Sequence, residues 1–329
     1  MRIGNNSRDS IGSPTARGGL DVDALLDKAI RILITIFALN IVGLGAYWYF
    51  DRNTLNSPSS VDRTIQDLEA LVVQEPNNAN LRTQMALAYM ERRRLDAAVE
   101  QFQTALVLAP DHQTALVGLG NALLAANDDP SALAAFERVA ELNRDNPYRK
   151  TLRQLEGIYY RIALIRARHD DLEGAQANLL EALDIDSTDA DAWFLLGEVR
   201  RRSGQPHLAL EAYRKAANMV PTFAQVYEAM ATVFSDMERP DLVDYARGMV
   251  AVARADYQRA LPLLQRATEA SPNNADAYLG LGQAHEHLGH LSEAQVAYET
   301  AMRLDHGQFL SEMFLNRVRD RQRAQEVPQ

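Results

Sequence analysis

The chain has 329 residues, 47% of them hydrophobic and 24% charged, with a net charge of −10 and no cysteine. This apolar content supports a folded core and excludes global disorder, while the acidic balance argues against a nucleic-acid binder, which needs a basic footprint. Without cysteine the chain has neither a disulfide framework nor a thiolate metal site.

Residues 1–29 begin with a stretch from Met1 to Gly19 rich in Gly, Ser, Asn and Arg, the composition of a flexible tail. Ile32 to Phe50 then runs without a charge and includes Thr35 and Asn40 as its polar members. As a helix this run extends about 28 Å, enough for the hydrocarbon core of a bilayer. Tyr47, Trp48, Tyr49 and Phe50 stand where an interfacial aromatic belt belongs. The sequence therefore predicts one transmembrane helix over residues 30–50. Gly43-Leu44-Gly45-Ala46 is small enough to suggest signal-peptide cleavage. However, the region ahead is long and carries Asp21, Asp23 and Asp27, and the apolar run exceeds a usual signal-peptide core. An uncleaved anchor is expected. Lys28 and Arg31, with Arg17 further off, outweigh Arg52 and Arg63 and favour a cytoplasmic N-terminus. That orientation places the remainder outside the cytoplasm, on a periplasmic or cell-surface side. Residues 51–60, polar and containing Pro58, read as a linker.

Beyond the linker, alanine and leucine dominate and strand-like alternation is scarce, so the expected class is all-α. From Ala79 to Gln308 one pattern recurs about every 34 residues. Ala98, Phe102, Ala105 and Pro110 are matched by Ala209, Tyr213, Ala216 and Pro221, and in part by Ala294, Tyr298 and Ala301. Earlier in each unit, Trp193-x-x-Leu196-Gly197 is matched by Tyr278-x-x-Leu281-Gly282 and Leu116-x-x-Leu119-Gly120. On these residues the chain resembles the tetratricopeptide repeat family, and among its members the bacterial membrane-anchored ones. The resemblance implies a superhelix of stacked helical hairpins, each burying its apolar face only against its neighbours.

The units read as residues 79–112, 113–146, 156–189, 190–223, 241–274 and 275–308, within a solenoid over 61–308. A half-unit, Val61–Gln74, starts the stack. Two stretches depart from the period. Residues 147–155 are inserted and lengthen the next first helix. Residues 224–240 form a first helix without a second, which predicts a bend or a split into two subarrays around Met237–Asp241. After Gln308, Phe309, Leu310, Met313, Phe314 and Val318 recur at helical spacing and predict a capping helix within residues 309–329. Arg317, Arg319, Arg321 and Arg323 on it read as a solvated surface.

Chemistry has little foothold in this pattern. His285-Glu286-His287-Leu288-Gly289-His290 has a metal-like composition, but zinc proteases need two histidines four apart on one helical face. Here that spacing is not met, and a metal-dependent hydrolase stays the remote alternative. No G-x-S-x-G, P-loop or dinucleotide fingerprint is present. No cofactor, metal or small-molecule substrate is expected, and the chain reads as a non-enzyme.

What the resemblance implies instead is a protein- or peptide-binding groove lined by the first helices. Residue by residue it points to Thr83, Leu87 and Met90, then Val117, Asn121 and Leu124, then Tyr160, Leu164 and Ala167. The fourth unit contributes Phe194, Glu198 and Arg201, and the last Leu279, Gln283 and Glu286. Asn121, Tyr160, Phe194, Glu198, Arg201 and Gln283 are the candidate contacts, with Tyr160, Phe194 and Arg201 of the types that anchor interfaces. Family members that clamp acidic chaperone tails carry Lys and Asn where Thr83 and Leu87 stand, and Val117 spoils the second unit despite Asn121. That clamp is not expected. The sequence reads as a membrane-anchored scaffold for the assembly, maturation or export of envelope protein complexes, with a cytoplasm-facing adaptor as the alternative.

Overall fold

The computed structural model describes residues 43–44, 60–306 and 309–326. The expected tail, linker and transmembrane helix lie outside the described residues, except that Gly43 and Leu44 are helical and exposed. Among the described residues no helix is long and apolar enough to cross a membrane. The chain divides into two units, residues 1–63 and 64–329. From Ser60 onward the described residues form fifteen α-helices and one 3-10 turn, with no strand.

Helix α1 (Ser60–Gln74) leads the series. Four hairpins follow: α2 (Ala79–Glu91) with α3 (Leu95–Leu108), α4 (Gln113–Ala125) with α5 (Asp129–Leu142), α6 (Arg153–Arg168) with α7 (Leu172–Ile185), and α8 (Ala190–Arg202) with α9 (Pro206–Met219). Next come α10 (Ala224–Asp236), α11 (Pro240–Ala253) and α12 (Tyr257–Ala270), then the hairpin α13 (Ala275–His287) with α14 (Leu291–Leu304), and finally α15 (Phe309–Glu326). The result is an all-α solenoid of paired helices.

Local sequence sets these boundaries. Asn78, Asp189 and Asn274 accept hydrogen bonds from backbone N–H groups opening α2, α8 and α13, satisfying donors a helix start leaves bare. Pro206 and Pro240 stand in first turns, where a missing N–H costs nothing. First helices leave through a residue at positive φ: Arg93, Asn127, Asp170, Gly204 and Gly289 close α2, α4, α6, α8 and α13. Second helices mostly leave through an extended residue, as at Ala109, Asp186, Val220 and Asp305. The two kinds of link alternate along the stack.

Between hairpins the repeated small and aromatic positions carry the packing. Ala98, Phe102 and Ala105 are fully buried, as are Ala209, Tyr213 and Ala216, and Ala294, Tyr298 and Ala301. Burying a large side chain of this kind is worth roughly 1.5–3 kcal/mol. The ring fits because the facing helix has no side chain there. A Cβ on Gly197 would stand 2.3 Å from Tyr213, and one on Gly120 would stand 2.6 Å from Phe136. The repeat's glycine and aromatic are thus two halves of one contact.

The inserted residues 147–155 supply a 3-10 turn, Arg149–Thr151, and the start of α6. Arg149 and Lys150 tie that turn to Glu181 and Asp184 of α7, at 3.1 and 2.7 Å. Helix α6 is lengthened, to 16 residues against 13 for α4 and α8.

The expected split around Met237–Asp241 is absent. One core runs from Ala209 in α9 to Ala284 in α13, and it includes Met230, Phe234, Tyr245 and Met249 on either side of that turn. Helix α11 bridges the irregularity by serving twice. It packs on α10 as a second helix and on α12 as a first, and it also touches α13, as successive first helices do. The links agree: Glu238 after α10 and Ala255 after α11 both have positive φ, the first-helix exit. Two apolar faces make this possible, with Tyr245 and Met249 joining Tyr227 of α10, and Gly248 lying against Leu264 of α12.

Helix α15 covers the last hairpin differently from the sequence expectation. Phe314, Leu315 and Val318 are buried, whereas Phe309 is 72% exposed and Met313 also faces out. The arginines are not merely solvated either. Arg317 forks onto Glu286 with two bonds of 2.7 Å, and Arg321 adds a third at 3.3 Å. Tyr298 donates its hydroxyl to the same carboxylate at 2.9 Å. Glu286 is only 2% exposed. A lone buried carboxylate is costly, and this set of donors is what allows it inside.

Candidate protein-binding face

Successive first helices pack side by side: α2 on α4, α6 on α8, and α8 on α10. Side chains at one register of each helix therefore share a face. On α2 that register holds Leu87, 41% exposed, and Met90, half-buried. Val117, Asn121 and Leu124 follow on α4, and Tyr160 and Leu164 on α6, all half-buried. Phe194, Glu198 and Arg201 on α8 are half-buried too. The face is apolar, interrupted by single polar groups.

Its electrostatics are concentrated at two places. The first surrounds Tyr160, whose phenol is raised by burial and by the carboxylates of Asp191, Asp189 and Glu156. Glu156 lies one turn before it. Burial, and then a hydrogen bond shared with Asp189, push the Glu156 carboxyl up to about 7. Asp189 also caps α8, accepting from the N–H groups of Asp191 and Ala192.

The second place is on α8. Glu198 accepts from Arg201 at 2.9 Å and from the Tyr213 hydroxyl. Burial alone raises a carboxyl, but those two donors outweigh it and hold Glu198 below its ordinary value. Phe194 stands beside the same tyrosine, 6.0 Å from the Tyr213 ring and 5.2 Å from the Phe223 ring. Phe194 and Glu198 thus serve inter-hairpin packing while keeping an outer edge on the face.

Gln283 does not join this group. It lines a small closed cavity, about 30 Å³, with Arg214, Asn218, Tyr227 and Tyr245, and its Oε1 is buried without a hydrogen-bond partner. Arg214 of α9 reaches to within 3.9 Å of Asp276 on α13 beside that cavity. The odd helix brings these elements together, and nothing in the repeat pattern around Gln283 signals it. Glu156 escaped notice for the opposite reason, because it lies one position outside the face register.

The histidine-rich string does not assemble a ligand set. His285 and His290 approach through Nδ1 atoms at 3.4 Å, while His287 stacks on Tyr257 with centroids 4.1 Å apart. Glu286 is occupied by Tyr298 and the two arginines. Among the described residues no group of three or more His, Cys, Asp or Glu side chains is placed to hold a metal ion.

Models of the tetratricopeptide repeat match residues 83–147, 160–222 and 251–310, more than half of the chain. Among curated proteins, Superkiller protein 3 of Schizosaccharomyces pombe is 21% identical over 281 residues, covering 85% of this chain and 19% of that protein. RNA polymerase-associated protein CTR9 of Caenorhabditis elegans is 24% identical over 222 residues, covering 67% and 17%. The chain spans about a fifth of the length of the curated relatives it matches. Among solved structures, MamA superposes with a TM-score of 0.48 at 18% identity, covering 53% of this chain and 97% of that one. YrrB, described as a TPR protein with an unusual peptide-binding site, gives 0.47 at 17% identity, covering 64% and 95%.

Proposed function

The chain belongs to the tetratricopeptide repeat family, and from that premise we propose that it is a non-enzymatic scaffold holding partner proteins beside a membrane. Residues 30–50 anchor it, with the N-terminus cytoplasmic and the hairpins outside. Partner segments lie along the face of α2, α4, α6 and α8, and tethering to the membrane plane raises their local concentration. The work served is assembly, maturation or export of envelope complexes.

One observation carries the reading. Leu87, Val117, Leu124, Tyr160, Leu164 and Phe194 repeat one half-exposed apolar register across four helices, with Asn121 and Arg201 interspersed. Such a strip offers apolar anchor sites and a few orienting polar groups, the combination binding surfaces use.

The test pairs Leu87→Asp and Leu164→Asp on the face with Val107→Asp on α3, where Val107 is 81% exposed. Proteins that co-purify with the full chain should be lost from the face variants and kept by the Val107 variant at unchanged helicity. Equal recovery from all three would remove the face from consideration. Orientation is read separately. The chain has no native cysteine, so Ser203→Cys reports topology alone. An impermeant thiol reagent should label it in intact cells, and labelling only after lysis would favour the cytoplasm-facing adaptor.

A further inference from the structure

The double use of α11 leaves a trough that the regular hairpins lack. Elsewhere successive first helices pack on one another, but α10 and α12 each pack on α11 and not side by side. Between them lies an open groove of about 970 Å³ with α11 as its floor. The middle of the floor is apolar and small, formed by Ala231, Val250, Ala251 and Leu263. At one end stand Arg254 and Arg259, and at the other Arg247 and Arg266.

The charges are not equivalent. Arg254 is taken by Glu228, and Arg266 forks onto Asp244 at 2.8 and 3.1 Å. The Asp256 carboxylate caps α12 through the Arg259 N–H. Asp236 is the remaining acid on the lining. Arg247 and Arg259 are exposed and form no ion pair among the described residues. In a chain of net charge −10, two free guanidinium groups facing one groove amount to a local positive site. They lie on opposite sides of its floor, about two helical turns apart along α11.

We propose that this trough docks an amphipathic helix of a partner protein, apolar along one face and carrying acidic residues about two turns apart. The walls are helices, so an inserted helix meets small residues below and ridges on both sides, the arrangement in which helices pack. Its carboxylates reach Arg247 and Arg259, and planar guanidinium groups bind carboxylates through paired hydrogen bonds. The site is distinct from the face on α2–α8 and does not depend on it.

The experiment uses the full chain in mild detergent and a dye-labelled helical peptide with an alanine–leucine face and two glutamates two turns apart. A second peptide carries lysine in place of each glutamate. Fluorescence anisotropy should show binding of the acidic peptide, weakening as salt rises, and none of the lysine peptide. Arg247→Glu with Arg259→Glu should lower affinity about tenfold or more, since each contact becomes a repulsion. Thr232→Trp fills the trough without touching a charge and should also abolish binding, so the site remains testable if the charge-reversed variant unfolds. Equal binding of both peptides, or binding unaffected by Thr232→Trp, would overturn the proposal. Other occupants would overturn it as well. These are a melting shift with inorganic phosphate but no peptide binding, arginine-dependent capture by phosphatidylserine vesicles alone, and self-association abolished by Thr232→Trp.

Discussion

At the scale of single residues, close approach and backbone sign decide most outcomes. Gly197 has Tyr213 where a methyl group would stand, so Gly197→Ala must displace a fully buried ring. Overpacking of this kind costs roughly 1–3 kcal/mol, and thermal unfolding of the soluble part should register it. Ala255 presents the reverse case. Its φ of 59° is strained for alanine and free for glycine. Ala255→Gly should stabilise by roughly 0.5–1 kcal/mol once the glycine's extra unfolded-state freedom is deducted. Denaturant titration checks this, and a loss of stability would mean that the Ala255 methyl group has a role in packing.

Glu156 sets a pH dependence. Its carboxyl is raised from an ordinary 4.5 to about 7 by burial and by Asp189. Between those values the unfolded chain releases a proton that the folded chain retains, so stability falls as pH rises through that window. Glu156→Gln should flatten the fall in melting temperature between pH 5 and pH 7, and an unchanged slope would contradict the assignment. The sequence disclosed the glycine–aromatic contacts because they recur at one spacing. It hid Glu156, which depends on a tertiary neighbour, Asp189, from the next hairpin.

At the scale of elements, α11 and α15 depart most from what the repeat implied. The sequence marked α10 as unpaired, but the solution, one helix with two apolar faces, required knowing that Glu238 and Ala255 reverse the chain without being glycine. The cap was legible as a helix and misread in its facing. Arg317 and Arg321 bind Glu286, and their pull, with Leu315 buried, turns Phe309 and Met313 outward. This clasp is testable. Removing one donor from a buried carboxylate costs roughly 1–3 kcal/mol, and in a repeat stack the loss stays near the altered contact. Arg317→Ala should therefore speed amide exchange in α14 and α15 while leaving α2–α7 unchanged. Uniform acceleration would show that the stack unfolds as one unit.

At the scale of the whole molecule, hairpins that each need their neighbours produce two kinds of surface. Where the stacking is regular, first helices align and repeat one apolar register. Where α11 is shared, α10 and α12 part and open a trough with arginines at its ends. The regular surface was readable from Phe194 and its counterparts, because a period fixes where equivalent side chains point. Gln283 shows the limit of that reading. It holds an equivalent position but is enclosed, since Arg214 and Asn218 from a non-adjacent hairpin reach it.

The central claim is that the aligned first helices of α2–α8 receive partner segments. Its most direct test is a photo-crosslinker placed in turn at Leu87, Asn121, Tyr160 and Phe194, and at the outward-facing Val107, in the full chain within its own membrane. The account predicts one common adduct from the four face positions and none from Val107. Adducts from Val107 alone, or a different protein at every position, would contradict it.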